Sequence, residues 1–277
     1  MQQTNRSPNK ADLHSLLQTL LSRAAQSPHR GSLPLFIAGR RCGTLFPGAV
    51  AAIANIAGVE LAATRVDFGR NHPSGEALNT LLAEIAQTLR QAGKTPGWRG
   101  ELLDVMPDTP DSVPIAAIER GAMRPLGLIT QAVHLSGWSQ DGKLWVARRS
   151  LTKATDPGMW DTLVGGLVSA GEPADLALER ESDEEAGLDL ADIQNRSPLR
   201  KITRMQRQIP EGYQCEEVLT CECVLTDGVV PKNRDGEVME IDCFTPVTIY
   251  DMLVAGDFTL EASIVLTEDL WRRAPVN

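Results

Sequence analysis

The sequence is poor in the residues that build disulfide frameworks and histidine metal sites. Its 277 residues include five cysteines, an odd number without a Cys-x-x-Cys pair, and four histidines scattered at positions 14, 29, 72 and 134. This usage argues against a disulfide-stabilised or paired-cysteine zinc domain, and it favours a reducing compartment. Cys221 and Cys223 lie two apart in a predicted strand, so we expect both to be buried thiols on one face.

Long apolar runs and an excess of positive charge are also missing. We find no membrane span and no basic-then-apolar signal peptide, and the net charge is −9. These features argue against binding of nucleic acid by a basic face and against binding to an anionic membrane surface. We therefore expect a cytoplasmic protein with a small-molecule partner, and the sequence leaves a homodimer open. A phosphorylated substrate stays compatible with the negative charge, because a bound metal supplies local positive charge.

The most informative segment is 166–188, which reads GLVSAGEPADLALERESDEEAGL. Pro173 suits the first position of a helix, and Gly187 suits the position just past a helix end. About four helical turns fit between them at ~3.6 residues per turn. The glycines that precede the helix predict a loop that can lie close to a phosphate.

Three glutamates share one face of this predicted helix. Glu181, Glu184 and Glu185 fall at positions i, i+3 and i+4, where like charges repel one another. An acidic, solvated helix face would be the ordinary explanation, but a hard divalent cation would convert the repulsion into binding. Arg180 lies four residues before Glu184 and can pair with it.

The spacing G-x5-E-x7-R-E-x2-E-E-x-G resembles the Nudix signature. All seven fixed positions match, whereas Ser182 stands where an aliphatic residue is usual and Leu188 fits the second apolar position. At roughly 6% usage per residue type, seven matches have a chance probability on the order of 10⁻⁸ per start position. The resemblance implies an α/β fold, namely an α/β/α sandwich with a mixed sheet, over 121–277. A small α/β domain, 1–120, would precede it and shape the substrate pocket or an interface.

The resemblance also implies site roles. Glu181 and Glu185 would be the main ligands of Mg²⁺, and Mn²⁺ is an alternative ion. Glu184 would be a further ligand, and Gly166 would offer its backbone carbonyl to the metal. Arg180 would orient a glutamate, and Glu172 would support the loop from behind the ligands. For the general base we consider Glu181 first and Glu240 second. Glu240 and the nearby Glu237 are explained equally well as ordinary solvated carboxylates without a role at the site.

Basic and aromatic side chains near the signature are candidates for substrate contact. Arg148, Arg149 and Lys153 follow a predicted strand and could reach phosphate, although strand alternation allows at most one of the two arginines to do so. Trp160 and His134 could contact the organic moiety, and Trp138 at the predicted hairpin turn is a further candidate for ring stacking. We slightly favour structural explanations for Trp160 and His134. Trp160 would pack in the core, and His134 would be a strand histidine whose ring nitrogens have hydrogen-bond partners.

Periodicity predicts the remaining elements. In the first unit we expect a leucine-rich helix ending near Ser27, a hairpin turning near Gly39, a helix after Pro47, a strand over 59–68, a helix over 75–91 capped by Ser74, and a strand over 99–105. The segment 106–114 carries three prolines and predicts a linker or a short cap. In the second unit we expect a hairpin, the signature helix, three further strands and two closing helices.

Several functions remain open at this point. The segments ERGAMRPLGLITQAVHL, LWVARRS, PGMWDTLVGG and NRDGEV are similar to a subfamily related to the Nudix part of fungal thiamine pyrophosphokinase proteins, which trims damaged thiamine diphosphates to monophosphates. This similarity implies a Mg²⁺-dependent diphosphate hydrolase. The alternatives are a pyrophosphatase of ADP-ribose-like nucleoside diphosphates, a Nudix-fold diphosphate isomerase, and a non-catalytic binding module. The scattered histidines count against the isomerase, and the intact glutamates count against the silent module.

Overall fold

A computed structural model describes residues 8–71, 75–95, 97–110, 112–153 and 155–275. The elements of its first part are α1 (Lys10–Arg23), β1 (Leu33–Ile37), β2 (Arg40–Leu45), α2 (Pro47–Ile53), β3 (Val59–Ala62), β4 (Arg65–Phe68), α3 (Glu76–Gln91), β5 (Leu102–Val105), β6 (Ala116–Glu119) and α4 (Arg120–Leu126). Those of the second part are β7 (Ile129–Trp138), β8 (Leu144–Arg149), β9 (Trp160–Thr162), β10 (Val164–Leu167), α5 (Ala174–Ala186), β11 (Arg200–Ile209), β12 (Gly212–Val224), β13 (Val238–Phe244), α6 (Pro246–Ala255) and α7 (Leu260–Arg273).

The second part is built on a mixed sheet in the order β11-β12-β7-β8-β13, with β10 beside β7 and β9 beside β8. β12 runs parallel to β7, whereas the other pairings are antiparallel. Side chains alternate along β7, so Val133 and Leu135 face α5, and Thr130, Ala132 and His134 face the opposite side. The helices α1, α6 and α7 cover that opposite side. The predicted α/β/α sandwich with a mixed sheet is confirmed.

The first part has its own core around a sheet in the order β2-β1-β4-β3. Its buried cluster continues through α4 as far as Leu128, beyond the predicted boundary at residue 120. The predicted linker over 106–114 connects β5 to β6, and these two strands pair with each other. Helix α1 packs away from this core, with Leu13 against Trp138 and Leu266 of the second part. The division at residue 120 stays a prediction.

Most predicted elements are confirmed, and three differ in detail. The strand predicted over 59–68 is wrong as a single strand, because the chain turns at Ala63 and Thr64 and forms the hairpin β3–β4. This turn contains no glycine, proline or asparagine that would mark it in the sequence. Helix α1 ends at Arg23, before the predicted end near Ser27. Pro173 occupies the N-cap of α5 and not its first helical position.

Two further predictions concern individual residues and spans. Cys221 and Cys223 are both buried in the cluster under α5, as the strand pattern predicts. The predicted helix cap at Ser74 lies outside the described residues. None of the helices in the described residues is long and apolar enough to cross a membrane.

We predict that Leu13→Ala lowers the free energy of unfolding by about 2–5 kcal/mol, because it leaves a cavity between α1 and the second part. Leu13 is 1% exposed and packs with Trp138 and Leu266. The measurement is chemical denaturation followed by tryptophan fluorescence. The matched control is Gln18→Ala on the exposed face of the same helix. Equal stabilities for the two variants would show that α1 does not belong to this core.

Candidate active site

The signature forms a loop and a helix, as predicted. Helix α5 ends at Gly187, which has a left-handed φ of 63° that a glycine adopts without strain. A Cβ atom at this position would also lie 2.7 Å from the carbonyl oxygen of Lys232, so the close approach of the later loop requires glycine. The glycine therefore ends the helix and allows a second acidic segment to pack against it.

Arg180 joins the loop to the helix. Its guanidinium donates to both carboxylate oxygens of Glu172, at 3.1 and 3.0 Å. It also donates to Glu181 at 2.7 Å, to Glu184 at 3.4 Å and to the carbonyl of Leu167 at 3.2 Å. The hydrogen bonds from Arg180 hold the pKa of Glu172 below its usual value. Arg180 thus fixes the relative position of the loop and two of the signature glutamates.

Glu185 is the most buried of the three signature glutamates. It is 7% exposed and accepts a hydrogen bond from the backbone N–H of Gly165 at 2.9 Å. Burial raises its pKa to about 8, although the ammonium of Lys153, 3.6 Å away, opposes the shift. Burial without a stronger counter-charge is therefore unfavourable for the ionised form of this carboxyl.

Glu181 packs directly under Gly166. A Cβ atom built on Gly166 would lie 2.0 Å from the Glu181 carboxyl carbon, so no side chain fits between the two residues. Burial raises the pKa of Glu181 above its usual value, and the charge of Arg180 opposes this effect. The signature glycine thus allows a carboxylate to approach the backbone of β10 closely.

The loop before β13 brings two more carboxylates to the helix. Glu185, Asp235 and Glu237 each offer an oxygen, and these oxygens lie within 4.8 Å of one another. Backbone hydrogen bonds from Arg234 and Asp235 to the Glu184 carbonyl hold this loop, and Lys153 bonds to Glu237. Several oxygen donors with excess negative charge fit a hard divalent cation such as Mg²⁺ or Mn²⁺.

The strand β5 braces the signature loop from the first part of the chain. The Ala170 N–H donates to the Leu102 carbonyl at 2.8 Å, and the Gly171 N–H donates to Asp104 at 3.1 Å. The Ser169 hydroxyl donates to Glu101 at 2.8 Å. Two backbone amides and one side chain of the loop are therefore held by residues that precede the Nudix-like unit.

A cleft opens beside the glutamate cluster, and its lining is rich in positive charge. Gly165 and Gly166, which contact the glutamates, form part of its wall. Six cationic residues line it beside five carboxylates; the cationic residues are Arg99, Arg120, Arg124, Arg149, Lys153 and Arg207. Such a lining suits a diphosphate that lies next to the carboxylates.

The structure separates the predicted substrate-binding residues into two groups. Lys153, Arg149 and His134 line the cleft, and the Arg149 guanidinium is held by Asp161 at 2.8 Å. Arg148, Trp160 and Glu240 lie together outside the cleft lining. The Arg148 guanidinium is 5.8 Å from the Trp160 ring centroid, and it donates to Glu240 at 3.3 Å. Trp160 itself packs edge-on against Phe244, with 5.5 Å between the ring centroids.

Sequence reasoning missed several charged residues at the site, among them Arg120, Arg124, Asp235 and Glu216. Arg120 and Arg124 lie on or beside α4, outside any motif, so only the packing of the two parts places them at the cleft. Asp235 resembles an ordinary loop residue. Glu216 is one of three glutamates in β12, and the strand pattern does not show that it is buried whereas Glu217 and Glu222 are not.

Comparison with known proteins agrees with this geometry. The model of the NUDIX domain matches residues 131–261. Residues 131–261 therefore belong to the Nudix superfamily. Nudix hydrolase 20, chloroplastic, from Arabidopsis thaliana is 31% identical over 196 residues, which are 69% of this chain and 52% of that protein. Isopentenyl-diphosphate Delta-isomerase from Klebsiella pneumoniae subsp. pneumoniae is 30% identical over 129 residues, or 47% of this chain and 68% of that protein.

Similar folds occur among solved structures. A crystal structure of a Deinococcus radiodurans protein has a TM-score of 0.42 and 24% identity, covering 64% of this chain and 100% of that one. The chain spans about half the length of the plant Nudix hydrolases it matches, at 52% and 53%.

We predict that Gly166→Ala weakens Mg²⁺ binding at least about tenfold, because the new Cβ displaces Glu181. Calorimetric titration of the folded variant with MgCl₂ measures this effect. The control is Gly142→Ala in the β7–β8 turn, where no atom lies within 4 Å of the new Cβ. Because Gly142 has a left-handed φ of 77°, alanine at this position should lower the free energy of unfolding by about 1–2 kcal/mol. It should leave the Mg²⁺ affinity unchanged. Unaltered affinity in Gly166→Ala would remove Glu181 from the metal site.

Proposed function

We propose that this protein is a metal-dependent Nudix hydrolase that cleaves the diphosphate bond of a small organic substrate. The observation that carries the proposal is the glutamate cluster of α5, packed against Gly165 and Gly166 at the wall of a cationic cleft. Cationic side chains and the metal site would hold the diphosphate from two sides. The plant relative named as a Nudix hydrolase supports the same reaction class.

The metal would be held by carboxylates of α5 and of the loop before β13. Glu181, Glu184 and Glu185 are the proposed ligands from the helix, with the Gly166 carbonyl beside them, and Asp235 and Glu237 extend the set. A bound Mg²⁺ supplies Lewis-acid chemistry, since it neutralises diphosphate oxygens and makes water more acidic. Lys153, which contacts Glu185 and Glu237, would have to move toward the substrate phosphates.

Glu181 is a better candidate for the general base than Glu240. Glu181 is part-buried beside Gly166, and burial raises its pKa toward the range in which a carboxylate accepts a proton effectively. The Glu240 side chain is 44% exposed and paired with Arg148, outside the cleft lining. Arg180 orients Glu181 through its 2.7 Å hydrogen bond and stabilises its ionised form.

The first part of the chain would complete the pocket. Arg99 and Arg120 line the cleft from residues before the predicted boundary, and Arg120 is held by Glu101 at 2.8 Å. Because Glu101 also accepts from Ser169 of the signature loop, one carboxylate links the cleft arginine to that loop. This arrangement favours a role in the pocket over a role in an interface alone.

For the substrate we propose oxidised or otherwise damaged thiamine diphosphate, with the monophosphate as product. The similarity of four sequence segments to the thiamine-related subfamily supports this choice. Trp138, a candidate for ring stacking by sequence, is buried against Asp269 and Arg273, and Trp160 also lies outside the cleft lining. The aromatic groups at the cleft are Tyr213 and His134, so the organic ring would face these residues.

We predict that Glu185→Gln loses at least about 100-fold in kcat, because it removes a charged ligand while it keeps side-chain size. Phosphate release from a panel of nucleotide and cofactor diphosphates, with Mg²⁺ and with excess chelator, measures the loss. The matched control is Glu179→Gln on the same helix, which should turn over like the wild type. Full activity in chelator, or normal turnover by Glu185→Gln, would refute the metal assignment.

We predict a higher kcat/KM for oxo- or oxythiamine diphosphate than for thiamine diphosphate, since a buried polar site discriminates strongly between hydrogen-bonding patterns. ADP-ribose hydrolysis and isopentenyl diphosphate isomerisation are assayed in parallel at the same Mg²⁺ concentration. A clear preference for ADP-ribose would assign the protein to the nucleoside diphosphate class and keep the metal mechanism. Isomerisation without phosphate release would exclude the hydrolase.

A further inference from the structure

The cleft changes chemical character along strand β7. Thr130, Ala132 and His134 alternate on one face of this strand, and all three line the cleft. At about 3.4 Å per residue, Thr130 lies roughly 14 Å from His134 along the strand. His134 pairs in register with Gly165, beside the glutamate cluster, whereas Thr130 pairs with Glu216 of β12. A ligand with its diphosphate at Gly165 would therefore extend toward Glu216.

Glu216 is a buried carboxyl at that far end of the cleft. It is 5% exposed, accepts from the Thr130 hydroxyl at 2.6 Å and accepts from the Gln214 amide at 2.7 Å. In the described part of the chain it forms no salt bridge with a lysine, arginine or histidine. Burial raises the pKa of Glu216 and the nearby Glu261 adds to this effect, whereas the charge of Arg124 and the two hydrogen bonds oppose it.

The neighbouring Glu261 does have a charged partner. The Thr162 hydroxyl donates to the Val164 carbonyl at 2.8 Å, so it accepts from Nδ1 of His134 at 2.9 Å. The other ring nitrogen lies 2.9 Å from the Glu261 carboxyl group, to which it donates when His134 is protonated. Burial alone would lower the pKa of His134, but Glu261 raises it above its usual value. Glu216 lacks such a partner.

A buried carboxyl without a direct ion pair lowers the stability of the fold, and an apolar residue of similar size would lower it less. Each carboxylate oxygen can accept two hydrogen bonds, so the contacts from Thr130 and Gln214 leave acceptor capacity on the side that lines the cleft. A ligand with N–H donors or positive charge would use this capacity. Arg124 and Arg207 also line the cleft, but they are paired with Glu211 and Asp156. The Glu216 carboxyl therefore favours a donor-bearing group at this end.

We propose that Glu216 is a specificity-determining residue that binds the organic half of the substrate, a nitrogen heterocycle with an N–H or amino donor, joined to a diphosphate. Thr130 and Gln214 are positioning residues that orient its carboxyl. This inference rests on the proposed diphosphatase function, because the diphosphate end of the cleft defines the orientation of the ligand. The adjacent Glu217 side chain is bonded to Lys201 and Arg204 instead, outside the cleft lining.

The test compares the wild type with Glu216→Gln, Thr130→Val and the matched control Glu217→Gln. Oxythiamine diphosphate is the nitrogen-containing substrate, and isopentyl diphosphate is the substrate without nitrogen. We expect Glu216→Gln to raise KM for oxythiamine diphosphate at least about tenfold, with kcat within about threefold and KM for isopentyl diphosphate within about twofold of the wild type. Thr130→Val should give a smaller rise in the same KM, and Glu217→Gln none.

Equal KM changes for both substrates, or none in a folded Glu216→Gln variant with thermal unfolding like the wild type, would overturn the proposal. Calorimetric titration with oxythiamine, which carries no phosphate, tests the Glu216 role separately from the hydrolase assignment. Binding by the wild type that is lost in Glu216→Gln supports the Glu216 role even if no diphosphate is cleaved. Hydrolysis with oxythiamine binding unchanged by the substitution would refute this role and leave the hydrolase. A wild type that neither binds nor hydrolyses would refute both.

Discussion

The repulsion among clustered carboxylates at the end of α5 is the constraint on which the rest of the site depends. Glu185 is almost fully buried and Glu181 packs under Gly166, where charges are costly to desolvate. Arg180 compensates part of this charge through its contacts with Glu172, Glu181 and Glu184. Lys153 compensates another part near Glu185. The remaining negative charge is what a divalent cation would neutralise, so the fold stores an electrostatic cost that metal binding relieves.

The two parts of the chain depend on each other at the signature loop. Strand β5 accepts and orients the backbone amides of Ala170 and Gly171, so the loop position is set by residues far earlier in the sequence. The dependence also runs the other way, because helix α1 packs on α7 across the first and last elements of the chain. An isolated second part would therefore lose both a supporting strand and a covering helix.

Local spacing in the sequence predicted the signature helix and the glutamate cluster, because each depends on residues within a few helical turns. The sandwich followed from the resemblance that this spacing carries. The hairpin β3–β4 was missed because its turn at Ala63 and Thr64 lacks the residues that usually mark turns. The packing of α1 on α7 was missed because the pattern of an amphipathic helix shows which face is apolar but not which element packs against that face. Arg148 and Trp160 are near the signature in sequence, yet Arg148 alternates with the cleft-lining Arg149 along β8 and lies outside the cleft lining beside Trp160.

The same distinction explains why the reaction class is easier to infer from the sequence than the substrate. Metal-binding carboxylates are concentrated on one helix, where their spacing is a single local property. The residues proposed to read the organic moiety come from separate strands: Thr130 from β7, Gln214 and Glu216 from β12, with Glu261 from α7 behind them. A change in any one of these elements can alter the ligand without any change in the signature. Under the proposed roles, the groups for the chemistry and the groups for the organic moiety therefore lie at separate ends of one cleft.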